Sequence, residues 1–273
     1  METITYRIAA KTDVGRVRSN NEDNFQVSDD LGGGKMTWSN NRVCNLGDKG
    51  ALLVVADGMG GMNAGEVASE IAINIIRQYF APERITDDIT ANSASIESFM
   101  NGAIIEADNN IKAEAINRPE TKGMGTTIVI GWLFRNHLYV SWCGDSRAYV
   151  FNPKTGLHQI TKDHSYVQDL VDAKKLKPED AFDFPESNII TRCLSDSLTK
   201  AEPDNLITPY EVCNEDIIML CTDGLSGLLR DTEIERIMSA YVDDMDAAVK
   251  ALIDGACNAG GHDNIRSEEH TSE

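Results

Sequence analysis

Three times in this chain an apolar run ends on an aspartate with glycine beside it. The runs are Leu53-Val54-Val55-Ala56-Asp57-Gly58, Val140-Ser141-Trp142-Cys143-Gly144-Asp145 and Ile218-Met219-Leu220-Cys221-Thr222-Asp223-Gly224. Such a run reads as a buried strand, so the acid at its end sits where water is scarce. Several acids gathered there repel one another and hold their protons more tightly. A cation removes that conflict, and a neighbouring glycine lets the backbone come close enough for a carbonyl to join the ligands. Taken singly, Asp-Gly is an ordinary turn dipeptide. The case for chemistry rests on its recurrence, and on two further acidic groups: Glu22-Asp23, within Arg18-Ser19-Asn20-Asn21-Glu22-Asp23-Asn24, and Asp263-Asn264, after Gly260-Gly261-His262. All-oxygen donor sets favour hard cations such as Mg²⁺ or Mn²⁺ over zinc. The five histidines include no H-E-x-x-H pair, so zinc has little support.

The elements that must position these acids are legible in outline. Ala51 to Ala56 has the continuous apolar pattern of a strand buried on both faces. From Gly65 to Tyr79 apolar residues recur at helical spacing, with Pro82 closing the segment, and a second helix spans about Ser95 to Ala115. Thr126 to Phe134 and Leu138 to Cys143 read as an antiparallel hairpin turning near Arg135-Asn136, with Arg147 to Phe151 continuing the same sheet. Asp216 to Thr222 is a further buried strand, and helices follow near Asp231 to Ala240 and Met245 to Cys257. The glycine-rich stretch 32–50 reads as a long loop or irregular hairpin, and the polar stretch 163–187 as an excursion from the core. No repeat and no linker divides the chain, so the simplest architecture is a layered α/β domain with a largely antiparallel sheet.

Composition narrows the functions. Of 273 residues, 44 are acidic and 25 basic, a formal charge of −19, which repels phosphate backbones and argues against nucleic acid as a partner. No apolar stretch approaches the roughly 20 residues of a membrane span, and the N-terminus lacks a secretion signal, so a soluble cytoplasmic protein is expected. The six cysteines form no C-x-x-C pair and read as reduced thiols rather than a disulfide framework.

The order of motifs resembles the PPM-type (type 2C) metal-dependent protein serine/threonine phosphatases in their compact bacterial form. The resemblance runs from about Tyr6 to Ile265. It is carried by Gly15-Arg16-Val17-Arg18 leading to Asn21-Glu22-Asp23, Ala56-Asp57-Gly58-Met59-Gly60-Gly61 with Ala64-Gly65-Glu66, and Gly123-Met124-Gly125-Thr126-Thr127. Further on come Gly144-Asp145-Ser146-Arg147-Ala148-Tyr149, Thr161-Lys162-Asp163-His164-Ser165, Asn188-Ile189-Ile190-Thr191-Arg192, Thr222-Asp223-Gly224-Leu225 and Gly261-His262-Asp263-Asn264.

The resemblance implies an α-β-β-α fold, a central antiparallel β-sandwich flanked by helices, with a flap at about 166–187 and two or three Mn²⁺ or Mg²⁺ ions at one end. It implies that Asp57 bridges two metals, that the Gly58 carbonyl binds one of them, and that Asp223 and Asp263 bind the other. Glu22 and Asp23 would hold metal-bound waters, Asp145 with Asp223 a weaker third metal, and Arg18 the substrate phosphate. The implied reaction is hydrolysis of phosphoserine and phosphothreonine by direct attack of a metal-bridging hydroxide, opposing a bacterial serine/threonine kinase. The alternative is a catalytically weak or inactive phosphatase-like module that binds a phosphorylated partner. A monomer is expected.

The chain departs from the family pattern in two places. Many members carry a histidine after the Asp-Gly motif that can protonate the leaving group. Here the stretch is Gly60-Gly61-Met62-Asn63, and a thioether donates no proton. His164 reads instead as a turn cap and His262 as a loop residue, while Arg147 reads either as a phosphate binder or as a salt-bridge partner at the base of a strand. At the C-terminus the family continues with an apolar strand, whereas Arg266-Ser267-Glu268-Glu269-His270-Thr271-Ser272-Glu273 has no period-2 apolar pattern. This tail resembles the translation of a sequencing-library adapter. The expectation is a phosphatase domain over residues 1–265 whose final strand is missing, followed by a foreign tail over 266–273.

Overall fold

The structure, a computed structural model, describes residues 4–33, 40–61 and 64–272, so Met62 lies outside the described residues. The N-terminal part forms β1 (Thr5–Asp13), β2 (Asn24–Ser28), β3 (Val43–Asn45), β4 (Ala51–Ala56) and the short β5 (Gly58–Met59). Helices α1 (Ala64–Tyr79) and α2 (Ser93–Asn117) follow, then β6 (Gly125–Thr126), β7 (Ile128–Phe134), β8 (His137–Cys143), β9 (Arg147–Asn152) and β10 (Gly156–Gln159). After α3 (Tyr166–Asp172) come β11 (Leu194–Ser195), β12 (Asp204–Asn205), β13 (Tyr210–Glu211) and β14 (Ile217–Cys221). The chain closes with α4 (Asp223–Ser226), α5 (Asp231–Ala240), α6 (Met245–Asn258) and β15 (Ile265–Ser272). No helix among the described residues is long and apolar enough to cross a membrane.

Two antiparallel sheets stack face to face. One runs β10-β9-β14-β15-β1-β3; the other runs β12-β8-β7-β4-β2, with β13 also on β8. The continuous apolar runs follow from this stacking, because their strands are buried on both faces. In β4, Ala51, Leu53 and Val55 enter the core between the sheets, while Leu52, Val54 and Ala56 pack towards α1 and α2. In β14, Ile218 and Leu220 face the other sheet, while Ile217, Met219 and Cys221 face α5 and α6. The result is the four-layer α-β-β-α fold.

Two expectations need correction. Arg147–Asn152 does not continue the sheet of β7 and β8; β9 pairs with β14 and β10 in the opposite sheet. The crossover is made at Gly144, whose φ of +129° is closed to most side chains and whose Cβ would lie 2.5 Å from that of Thr127. The second correction concerns the tail. Residues 265–272 do form a strand, β15, which pairs with β1 on one side (Asp13 opposite Ile265 through Tyr6 opposite Ser272) and with β14 on the other (Cys221 opposite Ser267). Two open strand edges supply ladder partners whatever side chains enter between them, so the backbone overrides the polar pattern.

The first two polar side chains of this segment are buried all the same. Arg266 is 1% exposed, with its guanidinium 3.5 Å over the Phe25 ring, and Ser267 is fully buried. The Ser267 hydroxyl has no hydrogen-bond partner among the described residues. Ser267→Ala is therefore expected to stabilise the protein by about 1 kcal/mol, a rise in Tm of about 2–4 °C. Thermal unfolding monitored by circular dichroism checks this, and a fall in Tm would contradict it.

Candidate active site

The strand pairing brings all six candidate carboxylates to one end of the sandwich. Both β4 and β8 run antiparallel to β7, so they point the same way, and Asp57 and Asp145 leave from the same edge. The next strand, β9, therefore starts at that edge, and Cys221 of β14 lies opposite its Arg147, which places Asp223 there as well. Strand β15 begins beside the end of β14, bringing Asp263. Strand β1 ends at Asp13 opposite Ile265, and β2 starts with Asn24 opposite Ala56, so the loop carrying Arg18, Glu22 and Asp23 crosses the same edge.

The backbone around these acids is firmly held. The Asp57 amide donates to Thr127 Oγ1 at 3.2 Å, and its carbonyl accepts from Thr127 N at 2.9 Å and Thr126 Oγ1 at 2.8 Å. Gly58 is buried, opposite Thr126. Asp23 accepts from the Thr222 hydroxyl at 2.9 Å. Arg18 Nη2 lies 2.8 Å from Asp263 Oδ2, and both side chains remain well exposed at 52% and 38%. Arg147 makes a two-toothed bond to Asp163 at 2.7–3.0 Å and donates to the Tyr149 hydroxyl, so it serves as a salt-bridge anchor at the base of β9. His262 is exposed.

Electrostatics record how closely the acids are gathered. Burial pushes the Asp57 carboxyl well above the ordinary range, and Asp23, Asp223 and Asp145 push it further. Asp145 is raised by burial, then by Asp223 and Asp163. Burial also raises Asp223, against a hydrogen bond shared with Asp57. Asp23 is raised by burial, offset by Arg266 and the Thr222 hydroxyl. Glu22 is raised by burial, with Arg18 opposing and Asp263 adding to it. Two carboxyls that share a hydrogen bond require either a proton between them or a cation facing both. Asp145 Oδ1 is buried with no hydrogen-bond partner among the described residues, which fits the same requirement. No three acidic, histidine or cysteine side chains among the described residues are grouped tightly enough to hold a metal unaided. A hard divalent cation here would thus keep several waters, as Mg²⁺ habitually does.

The sequence reading passed over the residues that hold the acids in place. Asn264 is buried, and its side chain accepts from Glu22 N at 2.7 Å while donating to Val14 O at 3.0 Å and Asn20 O at 2.9 Å. One amide thus ties the 14–22 loop to the start of β15. The signal was the asparagine directly after Asp263, a type suited to binding backbone at tight turns. Asn264→Ala is expected to cost about 2–4 kcal/mol, because three backbone groups of the 14–22 loop lose their shared partner. Urea unfolding measures this, and a loss below about 0.5 kcal/mol would show that water replaces the amide.

A cavity of about 680 Å³ opens beside the acids, with Asp145, Asp223 and Asp263 on its inner wall and residues of the 165–188 excursion on its outer wall. Arg230 braces that outer wall, 2.6 Å from Asp183 and 4.3 Å over the Phe182 ring.

The sequence profile of the protein phosphatase 2C family matches residues 42–256. The chain belongs to this family. The phosphatase is 33% identical over 255 residues to the serine/threonine phosphatase stp of Listeria welshimeri, covering 93% of this chain and 91% of that protein. Its fold is similar to that of the S. agalactiae serine/threonine phosphatase, with a TM-score of 0.82 at 28% identity over 98% of this chain and 100% of the other. It is also similar to the catalytic domain of the serine/threonine protein phosphatase PstP, solved in complex with two manganese ions, with a TM-score of 0.75 at 30% identity over 99% of both chains. The phosphatase is thus a phosphoprotein phosphatase of the serine/threonine class.

Proposed function

We propose that this phosphatase hydrolyses phosphoserine and phosphothreonine in proteins with the help of Mn²⁺ or Mg²⁺ ions held at the carboxylate edge. The reading rests on the burial of Asp23, Asp57, Asp145 and Asp223, which with repulsion from neighbouring acids makes each favour a proton unless a cation replaces it. Asp57 would face two cations, Asp223 and Asp263 one of them, and the Gly58 carbonyl the other. Glu22 and Asp23 would act through water, and Asp145 on a third cation. When bound, the ions supply a water that ionises near neutral pH and a counter-charge for the phosphoryl oxygens.

The chain's own groups do the rest. Asp57 orients the attacking water through its carboxylate. Arg18, exposed and permanently charged, offers a planar two-toothed donor to the phosphate once it turns from Asp263. As the water oxygen forms its bond to phosphorus, the ester bond breaks and the serine or threonine oxygen takes a proton from water in the cleft. The physiological setting supported by the family is reversal of a serine/threonine kinase. Residues 166–187 act as a flap that selects the peptide around the phosphoryl group. The test is hydrolysis of a phosphothreonine peptide with Mn²⁺ and with excess chelator. Turnover that needs the metal and is abolished by chelator is expected. Absence of turnover under both conditions would leave a phosphate-binding module instead.

A further inference from the structure

His164 stands outside the carboxylate cluster, yet its contacts lead into it. The residue is 5% exposed. Its backbone N donates to Gly144 O at 3.0 Å, and its ring Nδ1 accepts from Gly144 N at 3.1 Å, so one residue grips both sides of the glycine preceding Asp145. A backbone N–H can only donate, so Nδ1 carries no proton, and a neutral ring must carry it on Nε2. Burial lowers the tendency of the ring to become charged. Nε2 lies 3.0 Å from Asp204 Oδ2, a carboxylate whose other oxygen is held by Arg192 Nη1 at 3.2 Å. Asp204 therefore accepts a hydrogen bond from the Nε2–H, which keeps the proton there and leaves Nδ1 bare for Gly144. The ring stacks on Trp142, centroids 6.1 Å apart, whose indole N–H is anchored 2.8 Å from Lys162 O.

His164 and its neighbour Ser165 also tie together the two ends of the excursion. Thr191 N donates to His164 O at 2.8 Å, and Ser165 bridges to Ile190. Beyond Gly144 the chain enters the site with an Asp145 carboxyl whose Oδ1 is buried without a hydrogen-bond partner among the described residues. The carboxyl's recorded hydrogen bond is to the backbone of its own residue, so its aim depends on the backbone behind it.

We propose that His164 is a positioning residue for Asp145: Asp204 fixes its tautomer, and the bare Nδ1 holds the Gly144 peptide that aims the Asp145 carboxyl. The arrangement parallels the way a carboxylate orients a metal-binding histidine from behind, although here the histidine orients a peptide. This rests on the reading of Asp145 as a cation ligand, so the experiment separates the two claims.

The whole protein is used, with variants His164→Leu, which removes the acceptor, His164→Asn, whose side-chain oxygen can still accept from Gly144 N–H, and Asp145→Asn. Three quantities are read: amide hydrogen exchange at Gly144 without metal, Mn²⁺ binding by calorimetry, and Tm. For His164→Leu, Gly144 exchange is expected to rise and the weakest Mn²⁺ step to loosen, each by about 10-fold, with His164→Asn restoring most of both. If Asp145→Asn binds Mn²⁺ like the wild type, the ligand reading falls while the hold on Gly144 is still judged by exchange. Should His164→Leu not fold, Asp204→Ala replaces it: nitrogen chemical shifts of the His164 ring should show the proton moving to Nδ1 as Gly144 protection is lost. Wild-type Gly144 protection in a folded His164→Leu or Asp204→Ala protein would overturn the proposal. So would a His164→Asn protein that matches the wild type in Tm but shows no rescue.

Discussion

Asp57→Asn is expected to lower turnover of a phosphothreonine peptide at saturating Mn²⁺ by at least about 1000-fold, a loss of about 4 kcal/mol in transition-state stabilisation. The substitution keeps the size and one oxygen of the side chain but removes its charge. It leaves the three backbone hydrogen bonds to Thr126 and Thr127 untouched, so the fold is expected to survive. Asp57 is chosen because it is the carboxyl pressed upon by three others, Asp23, Asp223 and Asp145, and is therefore the one best placed to face more than one cation. A residual activity above about a tenth of wild type would remove Asp57 from the centre of the mechanism. Measuring kcat/KM beside Tm separates this from simple unfolding.

The same substitution has an opposite effect on stability in chelator. The carboxyls of Asp23, Asp57, Asp145 and Asp223 all titrate above their unfolded range near 3.9. Groups raised in this way contribute stability that is fully present below the unfolded value and is lost as pH rises through the folded value. The metal-free protein should therefore lose stability as pH rises above about 4. Asp57→Asn removes one repelling charge and can donate its amide to Asp223 without taking up a proton. Its Tm in chelator should exceed that of wild type at about pH 7.5, and the gap should narrow towards about pH 5. Added Mn²⁺ should reverse the order, because only the wild type has the full ligand set. A gap that widens on acidification would show that these carboxyls do not govern the metal-free state.

How far this was legible in the sequence differs from residue to residue. Asp57, Asp145 and Asp223 stood out because a charge at the end of an apolar run is costly, and cost marks function. Helices α1 and α2 declared themselves by period, and β4 and β14 by continuous apolar runs, since both faces of those strands meet a core. Strands β1 and β2 were passed over. The inward set Tyr6, Ile8 and Ala10 alternates with Arg7, Ala9 and Lys11, a weaker contrast than an unbroken run. The crossover at Gly144 was missed because the sheet to which β9 belongs is decided by its partner β14, nearly seventy residues further on. The strand β15 was missed for a related reason: it is placed by the open edges of β1 and β14, and nothing in its own side chains announces it. Asn264 was visible as a letter, but its three backbone partners lie some 240 residues upstream, and only the fold brings them within reach.

That long-range closure is also where a single methyl group should do most harm. At Gly224, the residue after Asp223, a Cβ would run into the Asn264 carbonyl oxygen, lie 2.8 Å from its carbon and stand 3.4 Å from Ile265 Cα. All three are backbone atoms, so no side chain can swing aside. Either the first turn of α4 or the 263–265 segment must move, and Asn264 would carry the 14–22 loop with it. Gly224→Ala is therefore expected to cost about 3 kcal/mol in urea unfolding and to weaken Mn²⁺ binding by about 10- to 100-fold, since Asp223, Asp263 and Glu22 are displaced relative to one another. Gly255→Ala is the matched control. Its Cβ would meet only the flexible ends of Leu229 and Ile237, at 3.4–3.7 Å, near the C-terminal end of α6. There alanine should be neutral or stabilise by up to about 1 kcal/mol, because the helix gains its best former. Equal behaviour of the two variants would mean that the backbone contact at Gly224 yields easily, and that the six acids are aligned by the cations rather than by the chain.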